Sequence, residues 1–527
     1  MAGAPMQGSQ CLWYDHYKGS LFPLDLDAPP SCEQNRTSTS SLLEICCSYV
    51  VKDAAMTRAA IDCVPSILRV HMMEAALKGN HDRSIQALMS RWSLQSLVLS
   101  RLVPSVFTSL LPLYRPVYQS DLVRQGLRYT TALAHTFLEC LRQVSSTKIR
   151  HLDITGFPTA EVILYYLCSH CMLAHNERRR NNMITLYNQA LHLAQECHGS
   201  TPDSHSPLDT YFQNCLPENI SVEIKLDAFV TSESCHSELC KALTVSAFPE
   251  TRFRLVVERL SITCLGGERV LLLLKQLRPE EIRGLQLKYN SLENSHLLLM
   301  APTLQSLTQL TALDLSCNHL NLYQASSALI LQQVFAPLVH LRRLDLSNNR
   351  LKNQLATILS GISHPLQQLC LAACGLTPAD VGALATCPHT LSLEELDLSE
   401  NSLTPCYVSL GRILANISSC VKVLELENCR FTDEIVMSLT IHFSGFQNLL
   451  FLSLAGNTWT TSTVLTLTKG VAKLKKLKVL QLSYPYECHT DEASSEELEL
   501  FKATVASLLE ADDLLHTRPN KVELVLF

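Results

Sequence analysis

Eight times between Ile282 and Leu482 the chain spells Leu-x-x-Leu-x-Leu-x-x-Asn/Cys-x-Leu, with Ile in the first place of the first copy and small departures elsewhere. The central Leu-x-Leu pair begins at Leu285, Leu313, Leu344, Leu369, Leu396, Leu424, Leu452 and Leu480, in steps of 28, 31, 25, 27, 28, 28 and 28 residues. Seven copies close on a turn residue at a constant offset: Asn290, Asn318, Asn349, Cys374, Asn401, Cys429 and Asn457. The eighth has Pro485 there and reads as terminal. A Leu-x-Leu pair sends both leucines to one face of a strand. Apolar-periodic stretches such as Asp380 to Ala385 and Tyr407 to Ile417 then return as helices. One such unit cannot bury its leucines alone, so the units stack as leucine-rich repeats. The expected fold is therefore α/β: a leucine-rich-repeat solenoid, a horseshoe of ribonuclease-inhibitor-like repeats, behind an N-terminal helical domain.

Length says little about domain count here, because a repeat array adds to the 527 residues without enlarging any one core. A net charge of -6 and the absence of a long basic stretch argue against nucleic acid as a partner. Arg178-Arg179-Arg180 reads as a solvated helix face. Met1 to Asp27 contains no apolar run of the signal-peptide kind, and no stretch is long and apolar enough to cross a bilayer. The expectation is a cytosolic or nuclear protein without a membrane partner. Its 21 cysteines then act largely as small reduced apolar residues, and Asn219-Ile-Ser and Asn416-Ile-Ser are not glycosylation sites.

Residues 1–40 lack periodicity and read as a flexible tail. The pattern changes at Ser41-Leu-Leu-Glu44, a capping box that opens an apolar helix. Leu42, Cys46 and Val50 follow at i, i+4 and i+8. Ser-Leu-x-x-x-Cys-x-x-x-Val is similar to the BC box by which substrate receptors of cullin-RING ubiquitin ligases bind elongin C. The resemblance implies elongin contacts at Ser41, Leu42, Cys46 and Val50. The next segment, Val64-Pro65-Ser-Ile-Leu68-Arg-Val-His-Met72, resembles the cullin 2 box and implies cullin contacts at Val64, Pro65, Leu68 and Met72. Two ordinary amphipathic helices packed on each other would produce the same stripes.

Helical patterns at Ser84 to Arg91 and Asp121 to Arg142, separated by prolines, complete a helical domain over 41–145. Residues 146–281 read as irregular repeats, with strands near Ile149, Ser221 and Phe253, a helix from Ser234 to Thr244 and an insertion loop from His198 to Asn219. The helix Ala160 to His175 carries Cys168, Cys171 and His175 on one face, a conceivable zinc set with Cys197-His198, although this spacing recurs in Cys-rich apolar helices. Regular repeats fill 282–490. A helix from Ser495 to Ala511 and a closing strand from Val522 to Phe527 form a cap over 491–527.

Together with the boxes, the Leu-Met-Ser-Arg-Trp run ending at Trp92 and Ile220-Ser-Val-Glu-Ile-Lys-Leu-Asp227 resemble the PRAME family of leucine-rich-repeat proteins, including its fourteen-type relatives, over about residues 41 to 527. Members look like substrate receptors of a cullin 2–elongin ubiquitin ligase. The resemblance implies elongin B, elongin C and cullin 2 with its RING subunit as partners.

The chain has no phosphate loop, no His-Glu-x-x-His, no nucleophile elbow and no RING-type zinc framework. The expectation is therefore recognition without catalysis and without a cofactor. Two functions fit: a ligase adaptor, or a scaffold or inhibitor whose N-terminal helices merely cap the array. For the adaptor, residues between the paired leucines should face the open concave side and take the substrate. Asp314, Asp345, Asp397 and Glu425 stand there, with Glu395 and Glu427 expected exposed beside them, which suggests a basic protein substrate.

Overall fold

A computed structural model describes residues 41–103, 116–142, 147–198, 220–489 apart from His319 and Ser444, 499, 501–505 and 522–526, with side chains of 116–123, much of 187–198, 523, 524 and 526 excluded. The tail 1–40, the loop 199–219 and most of the C-terminal helix expected at 495–511 lie outside these residues. The chain divides into two compact units. Among the described residues the first comprises 41–265 with 272–282, and the second 266–271 with 283 onward.

The first unit opens with helices α1 (Leu42–Val51), α2 (Ala54–Cys63), α3 (Ser66–Lys78) and α4 (Asp82–Ser90). The expected capping box forms: Ser41 Oγ accepts from Glu44 N at 3.2 Å and Ser41 N donates to Glu44 Oε2 at 2.8 Å. Asp53 starts α2 by accepting from Ala55 N and Met56 N. Pro65 then ends it, because the residue before a proline is pushed out of the helical region, and Val64 sits extended at φ -101° and ψ 147°. Cys47, Val51, Ile61, Met73, Ala76, Leu77, Leu88 and Met89 make the core of this bundle.

A parallel sheet follows: β1 (Ser96–Val98), β2 (His151–Asp153), β3 (Val222–Val230) and β4 (Phe253–Ile262), paired in chain order. The sheet thus begins inside the segment expected to be helical, since three residues are too short for alternation to show. Helices α5 (Pro116–Arg142), α6 (Glu161–His175), α7 (Glu177–His198) and α8 (Glu233–Ser246) accompany the sheet. The three arginines at the start of α7 are not a merely solvated face. Arg179 Nη2 donates to Glu238 Oε2 at 2.7 Å and Arg180 Nη1 to Leu173 O at 2.6 Å.

The second unit is the regular array. Strands β5 (Gly284–Gln286), β6 (Ala312–Asp314), β7 (Arg343–Asp345), β8 (Gln368–Cys370), β9 (Glu395–Asp397), β10 (Val423–Glu425), β11 (Phe451–Ser453), β12 (Val479–Leu482) and β13 (Glu523–Leu526) pair in parallel in chain order. The register joins repeat leucine to repeat leucine, from Leu285 with Leu313 through Leu452 with Leu480 to Leu480 with Leu524. The repeat leucines from Leu285 to Leu480 are buried. The turn asparagines form a ladder: Asn318 Nδ2 donates to Leu287 O, Leu315 O and Ser316 O, while its Oδ1 accepts from Asn290 N. Cys374 and Cys429 stand in the same place, their Sγ atoms donating to Leu346 O and Leu398 O. The fold is a leucine-rich-repeat array with a helical N-terminal region. Among the described residues no helix is long and apolar enough to cross a membrane.

Candidate protein-binding site

Helix α1 has two unlike faces. Cys47 and Val51 are buried, whereas Leu42 is 76% exposed, Ile45 55% and Tyr49 65%, with Cys46 exposed beside them and Val50 half-buried. Leu42, Ile45, Cys46 and Tyr49 fall at i, i+3, i+4 and i+7, the spacing of one helix face. Burying a leucine or isoleucine is worth about 1.5–3 kcal/mol, so a solvent-facing row of such side chains on a structured helix is a candidate interaction surface. Ile45 and Tyr49 were missed by the box pattern, which fixes residue types only at the first, second, sixth and tenth places. Their i, i+3, i+7 spacing with Leu42 is the signal that could have found them.

The far end of α1 is held by hydroxyls. Thr57 Oγ1 lies 3.1 Å from Val50 O and Ser84 Oγ donates to Val51 O at 2.7 Å, and Thr57 and Ser84 are 3.1 Å apart. Both are buried. These contacts satisfy terminal helix carbonyls that would otherwise lack partners. Hydrogen bonds from Ser41 hold the Glu44 carboxyl below its usual range, so the box stays charged and closed at neutral pH.

Helix α3 packs directly on α1. At its start Pro65 is exposed, Ile67 is 66% exposed, and Val64 and Leu68 are half-buried. Met72 is 3% exposed and belongs to the core with Met73 and Ala76, so the expectation that it meets a cullin is corrected. Arg69 fixes this helix from inside, donating to Ile61 O at 2.9 Å and Arg91 O at 3.1 Å.

The acidic column of the second unit lies on the sheet face away from the leucines but is not open. Asp314 is 1% and Glu425 9% exposed, while Asp345 and Asp397 are half-buried. Each aspartate ends its own strand: Asp314, Asp345 and Asp397 accept from Ser316 N, Ser347 N and Ser399 N at 2.8–2.9 Å. Gln286 Nε2 also donates to Asp314 Oδ2 at 2.7 Å. Burial and the neighbouring Asp314 charge push Asp345 up to about 7. Glu395, expected exposed, is buried and faces the buried Arg343 at 3.3 Å. Burial raises its carboxyl despite that arginine. Leu-Asp-Leu-Ser is thus a turn device first, and the serine two places on was its sequence signal.

Of the conceivable zinc set, the side chains of Cys197 and His198 lie outside those described, and the other three residues are engaged or buried elsewhere. Cys171 Sγ donates to Phe253 O at 3.3 Å, His175 Nε2 accepts from Phe253 N at 3.1 Å, and Cys168 is buried with its thiol pushed far up by desolvation. Among the described residues no group of three His, Cys, Asp or Glu side chains gathers as metal ligands.

Residues 324–518 match the PRAME C-terminal domain. Leucine-rich repeat-containing protein 14 of Xenopus laevis is 25% identical over 503 residues, covering 89% of this chain and 91% of the frog protein. The human protein of that name is 27% identical over 280 residues, so the aligned part of this chain spans little more than half of it, 56%. Human PRAME family member 12 is 26% identical over 140 residues, 26% of this chain and 29% of that protein. Among solved structures, the leucine-rich repeat-containing protein LegL7 from Legionella pneumophila superposes with a TM-score of 0.32 at 18% identity, covering 58% of this chain and 96% of that one. The repeat ladder makes the chain a leucine-rich-repeat protein, and it is similar to the PRAME C-terminal domain over residues 324–518 and to leucine-rich repeat-containing protein 14 over most of its length.

Proposed function

We propose that this protein is a non-catalytic substrate-recognition subunit of a cullin 2–elongin B/C ubiquitin ligase, working in the cytosol or nucleus. Helix α1 docks on elongin C through Leu42, Ile45, Cys46 and Tyr49, with Ser41 and Val50 bracketing that face. The start of α3 meets cullin 2 through Val64, Pro65, Ile67 and Leu68. The repeats hold a protein for ubiquitination, and the RING subunit on the cullin recruits the conjugating enzyme. The observation that carries this reading is the solvent-facing apolar row on a helix that is capped at one end and latched at the other. A stacked repeat array offers an extended surface suited to protein interaction, and fold alone does not choose the partner.

The test is copurification of elongins B and C with the tagged full chain. A Leu42→Ser, Cys46→Lys double variant should lose them while melting as the unchanged protein does, because both side chains are exposed. Apolar anchors at an interface centre are worth about 2 kcal/mol or more each, enough to abolish capture when two go. Elongin capture that survives in the soluble double variant overturns the assignment. The chain would then be an interaction scaffold or inhibitor acting without ubiquitin transfer.

A further inference from the structure

A cleft of about 710 Å3 opens in the first unit between α4 and α5, within the roughly 300–1,000 Å3 typical of ligand sites. Its floor is apolar: Leu77, Ile85 and Tyr129 line it and are buried. The Tyr129 ring is fixed edge-on against Phe157, with centroids 6.4 Å apart. Its rim is basic. Arg83 stands on the α4 side, and Arg124 and Arg128, one helical turn apart, on the α5 side, all three exposed. Asp82 and Glu139 also line the cleft, but Glu139 already accepts from Gln86 Nε2 at 3.2 Å and lies 3.8 Å from His135 Nε2. This gathering of guanidinium groups runs against a chain whose formal net charge is -6.

We propose that this cleft binds an acidic peptide segment of a protein partner, seating one apolar side chain against Tyr129 and the half-buried Leu127 and Ala132 that line the cleft over Leu77 and Ile85, and its carboxylates on Arg83 and Arg128. An arginine fork grips a carboxylate with two parallel hydrogen bonds, and guanidinium groups on facing helices can hold acids on both sides of one anchor. Neither half suffices alone: the floor gives no sign preference, and a bare arginine rim gives no reason for an apolar pit. The surface is separate from the α1 row, and the proposal does not depend on elongin binding.

The experiment measures fluorescence anisotropy of a fluorescein-labelled Asp-Glu-Leu-Phe-Glu-Asp peptide against the full chain, beside a Lys-Lys-Leu-Phe-Lys-Lys control. The acidic peptide should bind, the lysine peptide should not, and high salt should weaken the complex. Arg83→Glu with Arg128→Glu should reduce affinity by at least about tenfold with melting unchanged, and the double change to lysine should fall between. No binding of the acidic peptide, equal binding of the lysine peptide, or indifference to the charge reversal each overturns the proposal. Arginine-dependent binding to phosphatidylserine vesicles without peptide binding also overturns it, and assigns the rim to a lipid surface. Elongin capture measured on the same variants should be unchanged, which keeps this outcome distinct from that of α1.

Discussion

At position 401 one side-chain amide ties four backbone groups together. Asn401 Nδ2 donates to Leu371 O, Leu398 O and Ser399 O, and its Oδ1 accepts from Leu376 N at 3.0 Å. The residue is 1% exposed, so water cannot replace it. Asn401→Ala should therefore lower unfolding free energy by about 3 kcal/mol, read from the denaturant midpoint, because a stranded buried polar group forfeits about 1–3 kcal/mol. Asn401→Cys should lose less, since Cys374 and Cys429 already fill equivalent places. Asp345 makes a different prediction. Its folded pKa of about 7 lies above the ordinary 3.8, so between these values the folded chain keeps a proton that the unfolded chain has released. Stability should fall as pH rises through that window, with the full loss present above about 7. Asp345→Asn retains an oxygen for Ser347 N–H and removes the titration. Its melting temperature should exceed that of the unchanged chain near pH 8, and the gap should close near pH 4. The asparagines were legible in the sequence because their offset is constant. The protonation of Asp345 was not, because it depends on burial and on Asp314 one repeat away.

At the scale of elements, the pairing of Ser41 with Glu44 announced where α1 begins, and its contacts form as expected. Leu42 lies in the first turn that this box secures. Ser41→Ala should cost about 1 kcal/mol of local helix stability. Hydrogen exchange at residues 42–46 should rise and elongin capture should weaken several-fold while the global melting temperature moves little. Unchanged exchange would separate the cap from docking. The i, i+4, i+8 stripes were a less faithful guide. Each four-residue step advances about 40° around a helix of 3.6 residues per turn, so such a stripe winds off its starting face. Along α1 this takes exposed Leu42 to half-buried Val50, and along α3 it takes half-buried Leu68 to buried Met72. The exposed residues replacing those lost ends are Ile45 and Tyr49 on α1 and Ile67 on α3. Spacing alone does not say which side of a helix meets its neighbours.

Across the whole molecule, the two units carry different tasks in the proposed assembly, with docking helices in the first and regular repeats in the second. The first unit also presents two successive apolar faces, which should be separable. Pro65→Ser with Ile67→Lys should weaken cullin 2 association while elongin copurification persists, as judged by pull-down of both from one preparation. Joint loss of the two partners would make α1 and α3 a single structural element rather than two docking sites. The array was written in the sequence alone: a strand-and-helix unit that returns near every 28 residues can bury its leucines only against its neighbours, so periodicity dictates the parallel ladder, its register and the turn residues. What only the tertiary structure decided is which polar and apolar groups remain accessible. The three-residue β1 exists because β2 offers it backbone partners, the acidic column is partly buried, with Asp314 and Glu425 inside and Asp345 and Asp397 half-buried, and Arg343 meets Glu395 across 52 residues of chain. Burial and pairing arise between residues far apart in sequence, whereas a local pattern records only what each short segment would prefer by itself.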